Sequence, residues 1–190
     1  MSDRLPKLTT PDLVHDLATL DQALYETVTI TRTPTLDTAL RRLSAAADHS
    51  KLSFAVAAGL ALCGGRSRRA AVLGVAAIGV ASATANLVGK RLVRRRRPHR
   101  AEDSPFPGRH VPMPASASFP SGHTASAVAF AAAVGPALPA AAVPLGALAC
   151  AVGYSRVHTG VHYPGDVIAG ALLGTGSAAL VLSLAARAER

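Results

Sequence analysis

His162 is followed four residues later by Asp166, within the stretch SRVHTGVHYPGD at 155–166. A carboxylate that holds one imidazole nitrogen fixes the tautomer of the ring and stabilises its cation. An imidazole so held can act as a nucleophile. Earlier in the chain, Pro120-Ser121-Gly122-His123 leads directly into an apolar run. The hydroxyl of Ser121 and the free N–H groups of a first helical turn, aided by the helix dipole, suit an anion. His123 then stands at the edge of that anion site. Lys90, Arg97 and Arg156 add cations, and guanidinium forks match phosphate oxygens in a bidentate way. The ligand expected from these residues is an anionic phosphate.

The elements that must carry them are apolar helices. The chain has 190 residues, enough for one domain with a core, and 49% of them are hydrophobic with no Trp and 4% aromatic. Ala, Val and Leu therefore build the apolar surface, a mixture that favours helices when Ala leads. Uncharged runs lie at 52–65, 70–89 and 167–186, and a double-length run at 124–155 is broken by GPALP at 135–139. A membrane-crossing helix needs roughly 20 mostly apolar residues, so 70–89 and 167–186 each read as one span and 124–155 as a helical hairpin. The run at 52–65 is short for a crossing. An Ala-rich soluble bundle is the competing reading, but soluble helices carry a charged face and these stretches have none. The expected fold is an all-α, multi-span transmembrane bundle of about five spans. Gly170 and Gly174 form a small-xxx-small pair of the kind that lets membrane helices approach closely. Cys63 and Cys150 sit in apolar runs and read as small hydrophobes.

Tracing these spans places the chemistry on one membrane face. The loop at 89–120 leaves the bilayer on one side, GPALP turns on the other, and 155–166 returns to the first. Lys90, Arg97, His123, Arg156, His162 and Asp166 are thereby gathered. Ionisable groups so close to hydrocarbon are functional candidates by default.

The first fifty residues differ from the rest, with five Lys/Arg against seven Asp/Glu, whereas 51–110 carry twelve against two. Leu13, Leu17, Leu20, Leu24 and Val28 follow helical spacing after Thr10-Pro11, and Leu36, Ala39, Leu40, Leu43 and Ala47 suggest a second amphipathic helix. Both fit a segment lying in the interface plane. The expected division is an interfacial segment at 1–50, a membrane-embedded domain at 51–186 and a short tail at 187–190. No cleavable signal peptide is evident at the start.

At this point three motifs converge on a family. KRLVRRRRP at 90–98, FPSGH at 119–123 and SRVHTGVHYPGD at 155–166 together resemble the three-part signature of the type 2 phosphatidic acid phosphatase superfamily. That superfamily includes lipid phosphatases and the soluble vanadium haloperoxidases. The resemblance covers roughly 50–186 and leaves the first fifty residues without a counterpart. It implies that His162 attacks phosphorus to form a phosphohistidine, oriented by Asp166. It implies too that Lys90, Arg97, Ser121, Gly122 and Arg156 hold the equatorial oxygens and that His123 protonates the leaving group. The expected activity is metal-independent hydrolysis of a phosphomonoester or pyrophosphate from a lipid, phosphatidic acid or a polyprenyl phosphate or pyrophosphate. Neither a cofactor nor a nucleic-acid partner is expected, and the partners are the lipid substrate and the membrane.

Other readings compete at particular residues. Arg91, Arg94, Arg95, Arg96 and Arg100 read as a lipid-headgroup patch outside the motif. His158, His162 and Asp166 share a spacing of four that could mimic a metal face, but Gly160, Pro164 and Gly165 argue against a regular helix there. His158 reads as structural. A non-catalytic protein binding anionic lipid would need only the arginine run, and a haloperoxidase relative would share the anion pocket. The resemblance implies an extracytoplasmic active site in the cell membrane. The flanking charges, nine Lys/Arg on the catalytic side and five on the other, lean the opposite way under the positive-inside rule. Three of the nine are the phosphate-binding positions Lys90, Arg97 and Arg156, and without them the count is six against five.

Overall fold

The computed structural model describes residues 10–100 and 106–190, and their regular structure is helical with no strands. Residues 1–9 of the expected interfacial segment lie outside the described residues. Among the described residues seven helices follow in order: α1 (Thr10–Ile30), α2 (Pro34–Ala46), α3 (Lys51–Leu62), α4 (Gly65–Leu92), α5 (Gly122–Val134), α6 (Pro139–His158) and α7 (Pro164–Ala188). Near its end α4 passes through a π-helical stretch, Thr84–Gly89, before a last turn at Lys90–Leu92.

Helices α4, α6 and α7 are long and apolar enough to cross a membrane. The expected hairpin is present, with α5 and α6 on either side of the turn at 135–138. Its first limb is short: α5 has 13 residues and α3 has 12. At about 1.5 Å per residue each runs about 20 Å, less than the roughly 30 Å of a hydrocarbon core. The bundle thus holds five helices, three of full spanning length.

Helix α5 is the central member, packed against α4, α6 and α7. Its Ala125, Ala129 and Ala133 are fully buried against Ala77 and Ala81 of α4 and Ala178 of α7. Such small side chains bring backbones close, which replaces the missing hydrophobic drive between helices in lipid. Gly170 and Gly174 do what their spacing suggests. A Cβ on Gly170 would lie 2.5 Å from the Ser121 carbonyl oxygen, and one on Gly174 would lie 2.4 Å from that of Ala125. The start of α5 is therefore pressed onto the first turns of α7.

The amphipathic helices α1 and α2 pack across the ends of α6 and α7; the leucine stripe of α1 faces outward, whereas α2 turns Leu40 and Leu43 of its stripe inward. The inward residues of α1 are Asp21, Tyr25 and Val28, and those of α2 are Asp37, Leu40 and Ser44, while Leu13, Leu17, Leu20, Leu24 and Leu36 are exposed. The reason is electrostatic. Asp21 pairs with Arg95 at 2.7 Å and Asp37 with Arg109 at 3.0 Å, so the acidic face of the segment turns towards the arginine-rich loop.

Candidate active site

Helix α6 ends in a turn that folds His162 back over Arg156. Gly160 adopts a left-handed φ of 71°, the conformation that favours glycine. The Arg156 carbonyl then accepts the amides of Val161 and His162 at 3.1 and 3.3 Å. Arg100 clamps this turn by donating to the carbonyls of Gly160, Thr159 and Val111 at 3.1, 2.8 and 2.8 Å. Pro164 opens α7, with proline at a position that needs no N–H, and Asp166 falls in its first turn.

Asp166 is fully buried and every side of its carboxylate is engaged. One oxygen receives the Tyr163 amide at 3.0 Å, the Ser118 hydroxyl in a short hydrogen bond, and faces His162 Nδ1 at 3.4 Å. The other pairs with Arg95 at 3.0 Å. On the far side of the ring, Arg97 Nη1 lies 3.3 Å from His162 Nε2. A guanidinium only donates, so Nε2 presents its lone pair and the imidazole proton sits on Nδ1, towards Asp166. Burial first, then the nearby Arg97 and Arg156, push the His162 pKa down to about 4. The ring is neutral at pH 7 and its lone pair points to the Arg97 guanidinium.

The other anion-binding candidates are held by bonds of their own. Arg97 is locked by backbone: its Nε donates to Ser116 at 2.8 Å and its Nη1 to Val161 at 2.7 Å. Lys90 Nζ is held by Asn86 at 2.8 Å and Ser116 at 3.2 Å. Arg156 is 2% exposed; its Nη1 bonds Ser44 Oγ at 2.5 Å, while its buried Nε has no partner among the described residues. Ser121, also buried, donates its amide to the Asp166 carbonyl at 2.9 Å, and its side chain accepts from Thr124 at 3.0 Å. A cavity of about 490 Å³ opens onto this cluster and is lined by Lys90, Gly122, His123, Arg156, Asp48 and Met113 among others. Next to His123 a narrower apolar cleft runs between α3, α5 and α6, past Val56, Phe130 and Leu148.

All eight expected site residues therefore meet in one region. Lys90, Gly122, His123 and Arg156 line the cavity, and His162, Asp166, Arg97 and Ser121 are bonded behind it. Several partners were not legible as such. Asp48 bonds His123 Nε2 at 2.7 Å, and Asp37 bonds His158 Nε2 at 2.9 Å. Arg95 and Arg100, read from sequence as headgroup patch, are corrected: both are half-buried and bonded inside the fold, Arg95 also stacking 4.1 Å over the Tyr163 ring. Arg91, Arg94 and Arg96 remain exposed. His158, bonded to Asp37 rather than facing the cavity, has the structural place expected of it.

Residues 70–190 match the family model described as PAP2 superfamily. The decaprenylphosphoryl-5-phosphoribose phosphatase of Mycobacterium tuberculosis is 41% identical over 129 residues, covering 66% of this chain and 67% of that protein. The lipid A 1-phosphatase of Rhizobium etli is 43% identical over 96 residues, 47% of this chain and 39% of that protein. Among solved structures, Aquifex aeolicus LpxE superposes with a TM-score of 0.72 at 24% identity, covering 86% of this chain and 95% of that one. The first transmembrane PAP2 type phosphatidylglycerolphosphate phosphatase from Bacillus subtilis does so with a TM-score of 0.70 at 24% identity, covering 90% and 87%.

Proposed function

The chain belongs to the PAP2 superfamily, and from that membership and the geometry of its site we propose that it is a membrane phosphatase that removes phosphate from a lipid. The observation that carries this reading is the line Arg97–His162–Asp166, which keeps His162 Nε2 unprotonated, its lone pair turned to the Arg97 guanidinium. His162 Nε2 attacks phosphorus and the bond from phosphorus to the lipid oxygen breaks. His123, entering as the imidazolium, gives its Nδ1 proton to that oxygen and is left neutral, and Asp166 takes up the growing positive charge of His162 through Nδ1–H. Lys90, Arg97, Arg156, Ser121 and the Gly122 amide hold the equatorial oxygens, where preorganised donors are worth most. Water then attacks the phosphohistidine, returns a proton to His123 and releases inorganic phosphate. The names of the relatives, both lipid-phosphate phosphatases, and the apolar cleft beside His123 support a leaving group with a hydrocarbon chain. Release of phosphate from a panel of purified lipids, prenyl phosphosugar, polyprenyl diphosphate and phosphatidate, tests it; activity restricted to soluble phosphomonoesters would contradict it.

The same reading extends to placement in the membrane. The exposed stripe Leu13, Leu17, Leu20 and Leu24 supports α1 as an interfacial helix, acidic side on the protein and apolar side in lipid. The catalytic face is extracytoplasmic, as the family resemblance implies. Six of the nine basic residues counted on that face (Lys90, Arg95, Arg97, Arg100, Arg109, Arg156) are bonded inside the fold. Among the described residues those exposed are Arg91, Arg94 and Arg96 with Arg32, Arg41, Arg42 and Lys51 of the preceding segment, seven against five on the other side. So small an excess does not outweigh the resemblance. Single cysteines at Ala115 and Ser67, in a background with Cys63 and Cys150 replaced, report the orientation to an impermeant thiol reagent on intact cells. Labelling at Ala115 alone is expected, and labelling at Ser67 alone would reverse the orientation.

A further inference from the structure

His123 has a carboxylate partner that none of the three motifs contains. Asp48 Oδ1 lies 2.7 Å from His123 Nε2 and 4.0 Å from Arg156 Nη1, on the wall of the cavity. The chain reaches this point through a corner between α2 and α3. Ala47 is buried there, and His49 and Ser50 adopt consecutive left-handed φ values of 55° and 58°, uncommon for residues with side chains. The corner brings the Asp48 carboxylate, still 45% exposed, to the first turn of α5.

We propose that Asp48 is a positioning residue for His123, holding Nε2 so that Nδ1 serves the oxygen of the leaving group. This rests on the proposed phosphatase reading, in which His123 is the acid. An imidazole has two nitrogens, and the one bonded to a carboxylate sets the tautomer and orientation of the other. The acid is therefore the imidazolium: Nε2–H donates to Asp48, and Nδ1–H, which makes no hydrogen bond among the described residues, is the proton left for the leaving group. Asp48, Arg156 and His162 are the charged or titratable groups facing the ring. The site then contains two Asp–His pairs of opposite duty. Asp166 keeps a proton on the far side of the nucleophile, and Asp48 holds the acid in register with the bond that breaks. The N-terminal segment, outside the matched family region, supplies part of the chemistry.

The test compares a lipid phosphate with p-nitrophenyl phosphate, whose leaving group needs little protonation, using the full chain in detergent. Asp48→Ala should lower kcat on the lipid by at least about ten-fold, within the roughly 10² to 10⁴ that a general acid supplies, with KM and aryl phosphate turnover little changed. Asp48→Glu should restore part of the loss, and Asp48→Asn, which keeps the shape, should show the same selectivity in smaller degree. The double variant Asp48→Ala/His123→Ala should be no worse than His123→Ala alone, because the two act as a unit. Equal loss on both substrates, additive losses in the double variant, or tighter KM with undiminished kcat would each overturn the proposal; the last would make Asp48 a competitor for the phosphate site. If His123→Ala is selective for the lipid while Asp48→Ala is not, only the positioning role falls. If His123→Ala is itself unselective, the acid role falls and takes this one with it.

Discussion

The backbone amide of Ser121 donates to the carbonyl oxygen of Asp166 at 2.9 Å, joining the first turn of α5 to the first turn of α7. Two motifs separated by the 31 residues of the hairpin from 124 to 154 are thereby held in register by main chain. The close approach depends on Gly170 and Gly174, which leave no room for a side chain between the helices.

Gly174→Leu should therefore separate the helices and disturb the site from a distance. Overpacking of this kind costs about 1–3 kcal/mol. Thermal unfolding in detergent should show a lower Tm, with turnover reduced even at temperatures where the protein remains folded. Gly176→Ala meets open space and should leave both unchanged; equal damage from the two substitutions would remove the packing argument.

Arg95 acts through Asp166, to which it is ion-paired at 3.0 Å. Replacing it with Ala should lower kcat on the order of 10- to 100-fold, the range seen when a partner orienting a reactive group is lost, with a smaller change in KM. Arg91→Ala, Arg94→Ala and Arg96→Ala should leave hydrolysis of a soluble aryl phosphate unaltered. Steady-state kinetics on the four variants separates the arginines that build the site from those that meet headgroups.

Much of the site was readable because its motifs are local. PSGH and the His–Asp spacing of four are short-range features that place a donor-rich turn and an oriented imidazole wherever the chain folds. The acidic partners were not. Asp21, Asp37 and Asp48 meet Arg95, Arg109 and His123 from 72 to 75 positions away, and nothing in local periodicity announces such pairs. The direction in which the α1 stripe points was not legible either. Amphipathic patterning identifies the apolar stripe, but beside a membrane that stripe faces outward and the charged side faces the protein. Span length was also masked, because an uncharged run from 124 to 155 does not reveal that α5 stops at Val134.

The pH profile should report a neutral nucleophile. With the His162 pKa depressed to about 4, the free enzyme keeps its lone pair down to that pH, and kcat/KM should lose activity as pH falls through about 4 rather than through the ordinary histidine value near 6.5. The sign follows from protonation: a depressed pKa means the active, neutral form persists further into acid. An acid limb near 6.5 assigned to His162 would contradict the burial and the cationic surroundings that cause the shift.

Metal chelation should leave turnover intact, since Lys90 and Arg156 line the cavity and Arg97 stands behind it, cations that repel a metal ion and attract an oxyanion. Vanadate, which adopts the five-coordinate geometry of the phosphoryl group in flight, should inhibit competitively. Loss of activity with EDTA and recovery with one divalent ion would point instead to a metal-assisted route.

The central claim is that His162 Nε2 bonds to phosphorus. Rapid acid-free quenching of the full chain turning over a phosphate-labelled lipid, followed by denaturation and peptide mapping, tests it directly. The label should be stable to base, labile to acid and confined to His162, and His162→Ala protein should carry none. Label retained in His162→Ala, or found on another residue of the active protein, would contradict the mechanism.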